Sequence, residues 1–170
     1  LDIFELVKII RENLATGSKA TRRVTESVAT ILEGDSGRII QLWLSRVQGN
    51  DVLMKLPLSS QERTGHLPFL LRDLVERLRA SKSVDAKHPE SKAAHEHGRL
   101  RRTQGYSAPM IVEESRMLQV SIFQILQNNL GRVDFSLVLV DVMTIADEVD
   151  SQLCQAMQTF ITEPAPVIAA

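Results

Sequence analysis

Three of the four histidines in this 170-residue chain, His88, His95 and His97, fall close together beside Glu90 and Glu96, a donor set that invites comparison with a metal site. On a helix, ligands that share a face stand three or four residues apart. His95 and His97 are two apart, so their side chains leave a helix about 200° from each other and do not converge on one ion. The same spacing sends His97 toward a core and His95 toward solvent, and no metal is expected. The single cysteine, Cys154, excludes an internal disulfide and a multi-cysteine metal site. Beside Leu153 and Met157 it reads as an inert, partly buried thiol.

Ala94-His95-Glu96-His97 resembles a phosphoaccepting histidine followed by an acidic residue, as in the dimerisation bundles of histidine kinases. That chemistry needs an exposed histidine and a kinase domain to donate phosphate. The downstream proline expected of that motif is missing, and no glycine-rich phosphate loop occurs anywhere in the chain. His95 as a phosphoacceptor therefore stands as the alternative function. Lys87, Lys92, Arg99, Arg101 and Arg102 make the most basic stretch, but Asp85, Glu90 and Glu96 dilute it and no aromatic is interleaved for base stacking, so it reads as a solvated helix face rather than a nucleic-acid site. No Ser-His-Asp or Cys-His arrangement has a local signature, and no catalytic residue is assigned. A haem would need an axial histidine in an apolar pocket. His66, beside Leu67 and Phe69, comes nearest, and no cofactor is expected.

The elements that carry these residues are helical throughout, since no stretch keeps the period-two alternation of a half-buried strand. Ile3, Val7, Ile10 and Leu14 form one apolar stripe that stops at Gly17-Ser18. Val24, Val28 and Leu32 begin a second, continued by Ile39, Trp43 and Val47 across Gly34-Asp35-Ser36-Gly37, as two helices or one kinked one. Ser59 and Glu62 form a capping box that starts a helix near Ser60. Leu67, Leu70, Leu71, Leu74 and Leu78 are the buried stripe that follows, and Pro68 demands a kink or restart near Gly65. After a polar loop from Ser81 to Pro89, a short basic helix runs from Glu90 to about Gln104, where Gly105 is a C-terminal cap. Ser107 with Pro109 starts the next helix, along Ile111, Ser115, Leu118, Ile122 and Ile125. Phe135, Leu139, Val142, Ala146, Val149, Leu153, Ala156 and Phe160 then alternate strictly by four and three, an interaction seam that demands burial in the bundle or against a second subunit.

With short connections, neighbouring helices are expected to pack antiparallel, giving an all-α bundle of about five to six helices. Residues 1–19 read as an N-terminal helical extension, 20–162 as the helical domain and 163–170, with Pro164 and Pro166, as a linker or tail. With 20 basic against 21 acidic side chains, no global field draws the protein to nucleic acid or an anionic membrane. No apolar run reaches the ~20 residues of a membrane span, and the start lacks the plan of a secretory signal. A cytoplasmic location follows as the expectation. An apolar heptad already running at Leu1 suggests a fragment of a longer chain.

From Gln41 onward the chain resembles the N-terminal sensor domain of RsbRD-type proteins, found on stressosome co-antagonists and ahead of soluble histidine kinases. The resemblance rests on Gln41-Leu42-Trp43-Leu44, on Gln61-Glu62-Arg63, on His97 with Arg101 and Gln104-Gly105-Tyr106, and on Glu114 with Leu118 and Ile122. It implies a non-catalytic input module that packs or dimerises and biases an attached kinase or anti-sigma-control domain. It also implies a globin-like arrangement, since related stressosome sensors are globin-like without haem.

One polar constellation is expected to be structural. His97 and Arg101 are four apart and share a face with Ala93 and Leu100, and the turn at Gly105-Tyr106-Ser107 folds Glu114 back toward it. A buried arginine needs a carboxylate and a buried imidazole needs a partner, so the three are expected to satisfy one another.

Overall fold

In a computed structural model of the chain, which describes residues 25–80, 90–133 and 137–164, every regular element is an α-helix. The expected helix over Ile3 to Leu14, the loop from Ser81 to Pro89, and Val24, His88 and Phe135 lie outside the described residues. Local chemistry sets the starts. Ser27 accepts the N–H of Thr30 to open α1 (Val28–Gly34), and the Gly34–Gly37 segment breaks at Asp35, so that α2 (Ser36–Gln48) is a separate helix. Asn50 caps the single turn of α3 (Asp51–Met54).

Ser59 and Glu62 form the expected reciprocal box ahead of α4 (Ser60–Thr64): Ser59 Oγ accepts the Glu62 N–H, and the Glu62 carboxylate accepts the Ser59 N–H at 2.8 Å. The restart that Pro68 requires places it in the first turn of α5 (Leu67–Arg79), where its missing N–H costs nothing. Ser91 caps α6 (Lys92–Thr103). Gly105, at φ +80°, then closes a Schellman motif: Tyr106 donates its N–H to the carbonyl of Arg101 and Gly105 to that of Arg102. Two long helices follow, α7 (Ala108–Asn128) and α8 (Val138–Thr162).

Trp43, Ile39, Ile111, Ile122 and Ile145 are wholly enclosed in one core to which α1, α2, α5, α7 and α8 contribute. The expected antiparallel pairing of neighbours does not describe α6. Its closest companion is α8, the next helix but one, and the two run parallel. Ser91 N–H donates to Gln155, His95 Nδ1 bonds the Thr159 hydroxyl at 2.7 Å and Arg99 donates to Glu163, each pair 64 residues apart. Gly98 permits the contact, because a Cβ there would lie 2.0 Å from the carbonyl oxygen of Ala156. Meanwhile α7 lies chiefly against α2 and α8.

The apolar seam of the last helix is buried only in its second half. Val149, Ala156 and Phe160 are enclosed and Leu153 is half-buried, whereas Val142 and Ala146 are half-buried and Leu139 is 71% exposed. A strict heptad drifts by about 20° per repeat on a straight α-helix. The inward stripe accordingly passes to Ile145, Glu148, Val149, Gln152, Ala156 and Phe160. Ahead of α1, Glu26 forms an isolated parallel bridge with Val133 and takes the Arg132 guanidinium on its carboxylate, tying the chain before α1 to the α7–α8 connection. No helix among the described residues is long and apolar enough to cross a membrane.

Candidate functional site

The basic helix α6 buries Ala94, His97, Gly98 and Arg101, spaced three, one and three apart. This face carries Ala94 and Gly98 in place of the expected Ala93 and Leu100, which are half-buried. Arg101 is fully enclosed, so the basic stretch is not simply a solvated surface. Its Nε donates to Glu114 at 2.8 Å, its Nη1 to Gln104 at 2.6 Å, and its Nη2 to the carbonyl of Arg63 at 2.8 Å. The Schellman turn sets the other side of the pair. Because Tyr106 is anchored by its N–H to the carbonyl of Arg101, its ring packs beneath that guanidinium at 4.7 Å and its hydroxyl donates to the second oxygen of Glu114 at 2.6 Å. Burial pushes the Glu114 carboxyl up, against the pull of Arg101 and the Tyr106 hydroxyl. Burial and the same carboxylate raise the Tyr106 phenol well above its ordinary value.

Arg101 and Glu114 thus form one buried, multiply bonded pair, but His97 does not join it. The His97 ring turns toward α5 and stacks on His66, with centroids 4.1 Å apart and planes 12° from parallel. Its Nδ1 is buried without a hydrogen-bond partner. His66 receives Arg101 Nη2 on Nδ1 at 3.5 Å, and Trp43 stands edge-on to it at 6.2 Å. Trp43 satisfies its own N–H on the backbone carbonyl of Glu114. Both imidazoles are held neutral. Burial and then Arg101 bring His97 down to about 3, and burial, His97 and Arg101 hold His66 well below 6.5.

Beside the stacked rings lies a cavity of about 20 Å³, walled by Trp43, Leu70, Leu118 and Val149 and edged by His66, His97 and Gln152. That is room for an ordered water and not for a macrocycle, so the surroundings of His66 do not fit a haem. Gln152 ties α8 to α5 by donating to the carbonyl of Leu70.

Arg63 went unassigned a role in the sequence and is 2% exposed, donating to the carbonyls of Leu53, Leu56 and Leu58. No local signal marks it, because its acceptors are backbone groups in an irregular segment. Trp43 carried one such signal, since a buried indole N–H requires an acceptor. His95, on the opposite side of α6 from His97, is half-buried against Thr159 rather than solvated. Cys154, expected to be partly buried, is exposed, because the inward stripe of α8 runs through Val149, Gln152 and Ala156. Among the described residues no three metal-binding side chains converge. Compared with protein families, with curated proteins and with solved structures, the chain matches none.

Proposed function

We propose that this chain is a non-catalytic sensory or input domain of a cytoplasmic bacterial signalling protein, of the RsbRD type and globin-like in arrangement, that passes a conformational bias to an attached kinase or anti-sigma-control domain. The observation that carries this reading is the two-sided character of α6. One face holds the stacked His66–His97 pair and Arg101, and the other is zipped to α8 up to its last turn. There Arg99 binds the Glu163 carboxylate, while Arg102 bonds the Glu163 carbonyl and packs over the Phe160 ring at 4.9 Å. A rearrangement in the buried cluster displaces α6, and α6 cannot move without moving the end of α8. Leu137, Leu139, Val140 and Met143, all at least half exposed at the start of α8, give a second copy of the chain an apolar face to cover, in keeping with a homodimer.

Hydrogen exchange tests the coupling. Arg101→Lys keeps the charge but loses the planar fork that holds Glu114. Faster amide exchange over residues 157–163, which meet α6 through Arg99 and Arg102 rather than through the Arg101 side chain, is the expected result, and unchanged exchange there would remove the support for an input role. The alternative, phosphotransfer through His95, has one feature in its favour: Thr159 engages Nδ1 and so orients the ring. Incubation with a histidine-kinase domain and labelled ATP separates the two, because only a phosphoacceptor yields label that His95→Gln abolishes.

A further inference from the structure

Two spaces meet at one side chain. The inner cavity lies beside Trp43 and His97, and a groove of about 370 Å³ runs outside it between α5 and α6, lined by Phe69, Ala93 and Leu100. His66 lines both and so stands between them. It sits at the residue preceding α5, where its side chain caps no backbone group, and its polar contact to Arg101 is long at 3.5 Å. Turning the ring outward therefore breaks no helix hydrogen bond, and the apolar groove over Phe69, itself half exposed, receives it. What the ring leaves behind is a slot bounded by the face of His97, the edge of Trp43 and the Nη2 donor of Arg101. The buried Nδ1 of His97, with no partner, borders it.

We propose that this slot binds a small, planar, uncharged nitrogen heterocycle that displaces the His66 ring into the Phe69 groove. The site as it stands shows what it accepts, for His66 occupies it as such a molecule would: one ring thickness from His97, edge-on to Trp43, with a ring nitrogen accepting from Arg101. A cationic ring has no counter-charge there, because the Glu114 carboxylate is committed on both oxygens to Arg101 and Tyr106. Because His66 stacks on His97 with centroids 4.1 Å apart, the place it vacates is one ring thick over the His97 face, which favours a flat aromatic ring over a bulky or non-aromatic molecule. This assignment rests on the sensory reading, since it names the chemical class of the input.

The chain contains one tryptophan, Trp43, and it forms a wall of the slot, so its fluorescence reports occupancy directly. The probe is pyrazole, neutral at pH 7.5, titrated into the intact chain. A saturable change in Trp43 emission is expected. Apparent affinity should rise roughly tenfold or more in His66→Gly, where the competing ring is gone, and fall at least tenfold in His97→Leu. The permanently charged N-methylpyridinium should leave the emission unchanged. Should His66→Gly fail to fold by circular dichroism, His66→Ser makes the same comparison. A response that never saturates in the parent or in the vacated variant, or an equal response to N-methylpyridinium, overturns the proposal. The two readings fail separately. Pyrazole binding that leaves exchange at residues 157–163 unchanged upholds the slot and sinks the sensory role, whereas no binding sinks the slot alone.

Discussion

The stacked imidazoles make stability depend on pH in a direction that follows from their surroundings. In the folded chain both are neutral, His97 with a value of about 3 and His66 well below the ordinary 6.5, while in the unfolded chain each takes up a proton near 6.5. Between those limits the unfolded chain binds more protons, so stability is fully present above about pH 6.5 and is lost as pH falls toward 3. Each histidine contributes a slope of up to ~1.4 kcal/mol per pH unit. Urea midpoints should fall steeply from pH 7 to pH 5, and His97→Leu should flatten that fall by about half; an unchanged slope would show that His97 is not buried neutral. Arg101 makes a second prediction. Replacing it by alanine strands the Glu114 carboxylate, which is 2% exposed, and removes a donor from the carbonyl of Arg63. A loss of ~3–5 kcal/mol in denaturant titration is expected, in the range for breaking a buried pair from one side. Arg101→Lys should recover little, because one ammonium does not reproduce the fork. A loss under 1 kcal/mol would place the pair in water. The sequence showed this pair through a spacing and a turn, but it did not show that His97 would face His66, because the choice between two polar neighbours on one face is made by packing.

At the scale of elements, what the sequence made legible was chemistry confined to a few residues. The Ser59–Glu62 box, the restart at Pro68 and the Gly105 reversal each depend on side chains within one turn of the backbone groups they serve, and each occurs where those residues stand. The pairing of α6 with α8 was not legible, because it depends on a glycine meeting a residue far along the chain. Gly98 reads locally as a flaw in a basic helix, and only the approach of Ala156 explains it. Gly98→Ala therefore sets two effects against each other. Helix propensity favours alanine by about 1 kcal/mol, while the added methyl would collide with a backbone carbonyl that has no rotamer to escape through. Overpacking of this kind costs ~1–3 kcal/mol or more, so collision wins and the thermal midpoint should fall. The hydrogen bonds from Ser91, His95 and Arg99 to α8 should loosen with it, seen as faster exchange in both helices. A midpoint raised by the substitution would mean that the two helices stand further apart.

For the whole molecule, the drift of the last helix's heptad sorts its apolar residues into two populations with opposite predictions. Val149 is 3% exposed and packs in the shared core, so Val149→Asp places an unpaired carboxylate there and should cost several kcal/mol whatever the protein concentration. Leu139 is 71% exposed and, with Leu137, Val140 and Met143, lies on an uncovered face of α8. In a lone chain Leu139→Asp should be within about 0.5 kcal/mol of neutral, as surface replacements usually are. If a second copy covers that face, the parent's thermal midpoint should rise with protein concentration and Leu139→Asp should abolish that rise while leaving the dilute midpoint untouched. Sedimentation of the two variants then separates the cases. Val149→Asp should lose folded protein at every concentration, and Leu139→Asp should lose only the larger species. A parent that sediments as a monomer throughout, with a midpoint indifferent to concentration, would show that the exposed half of the seam meets no second copy of this chain, and the homodimer would be withdrawn.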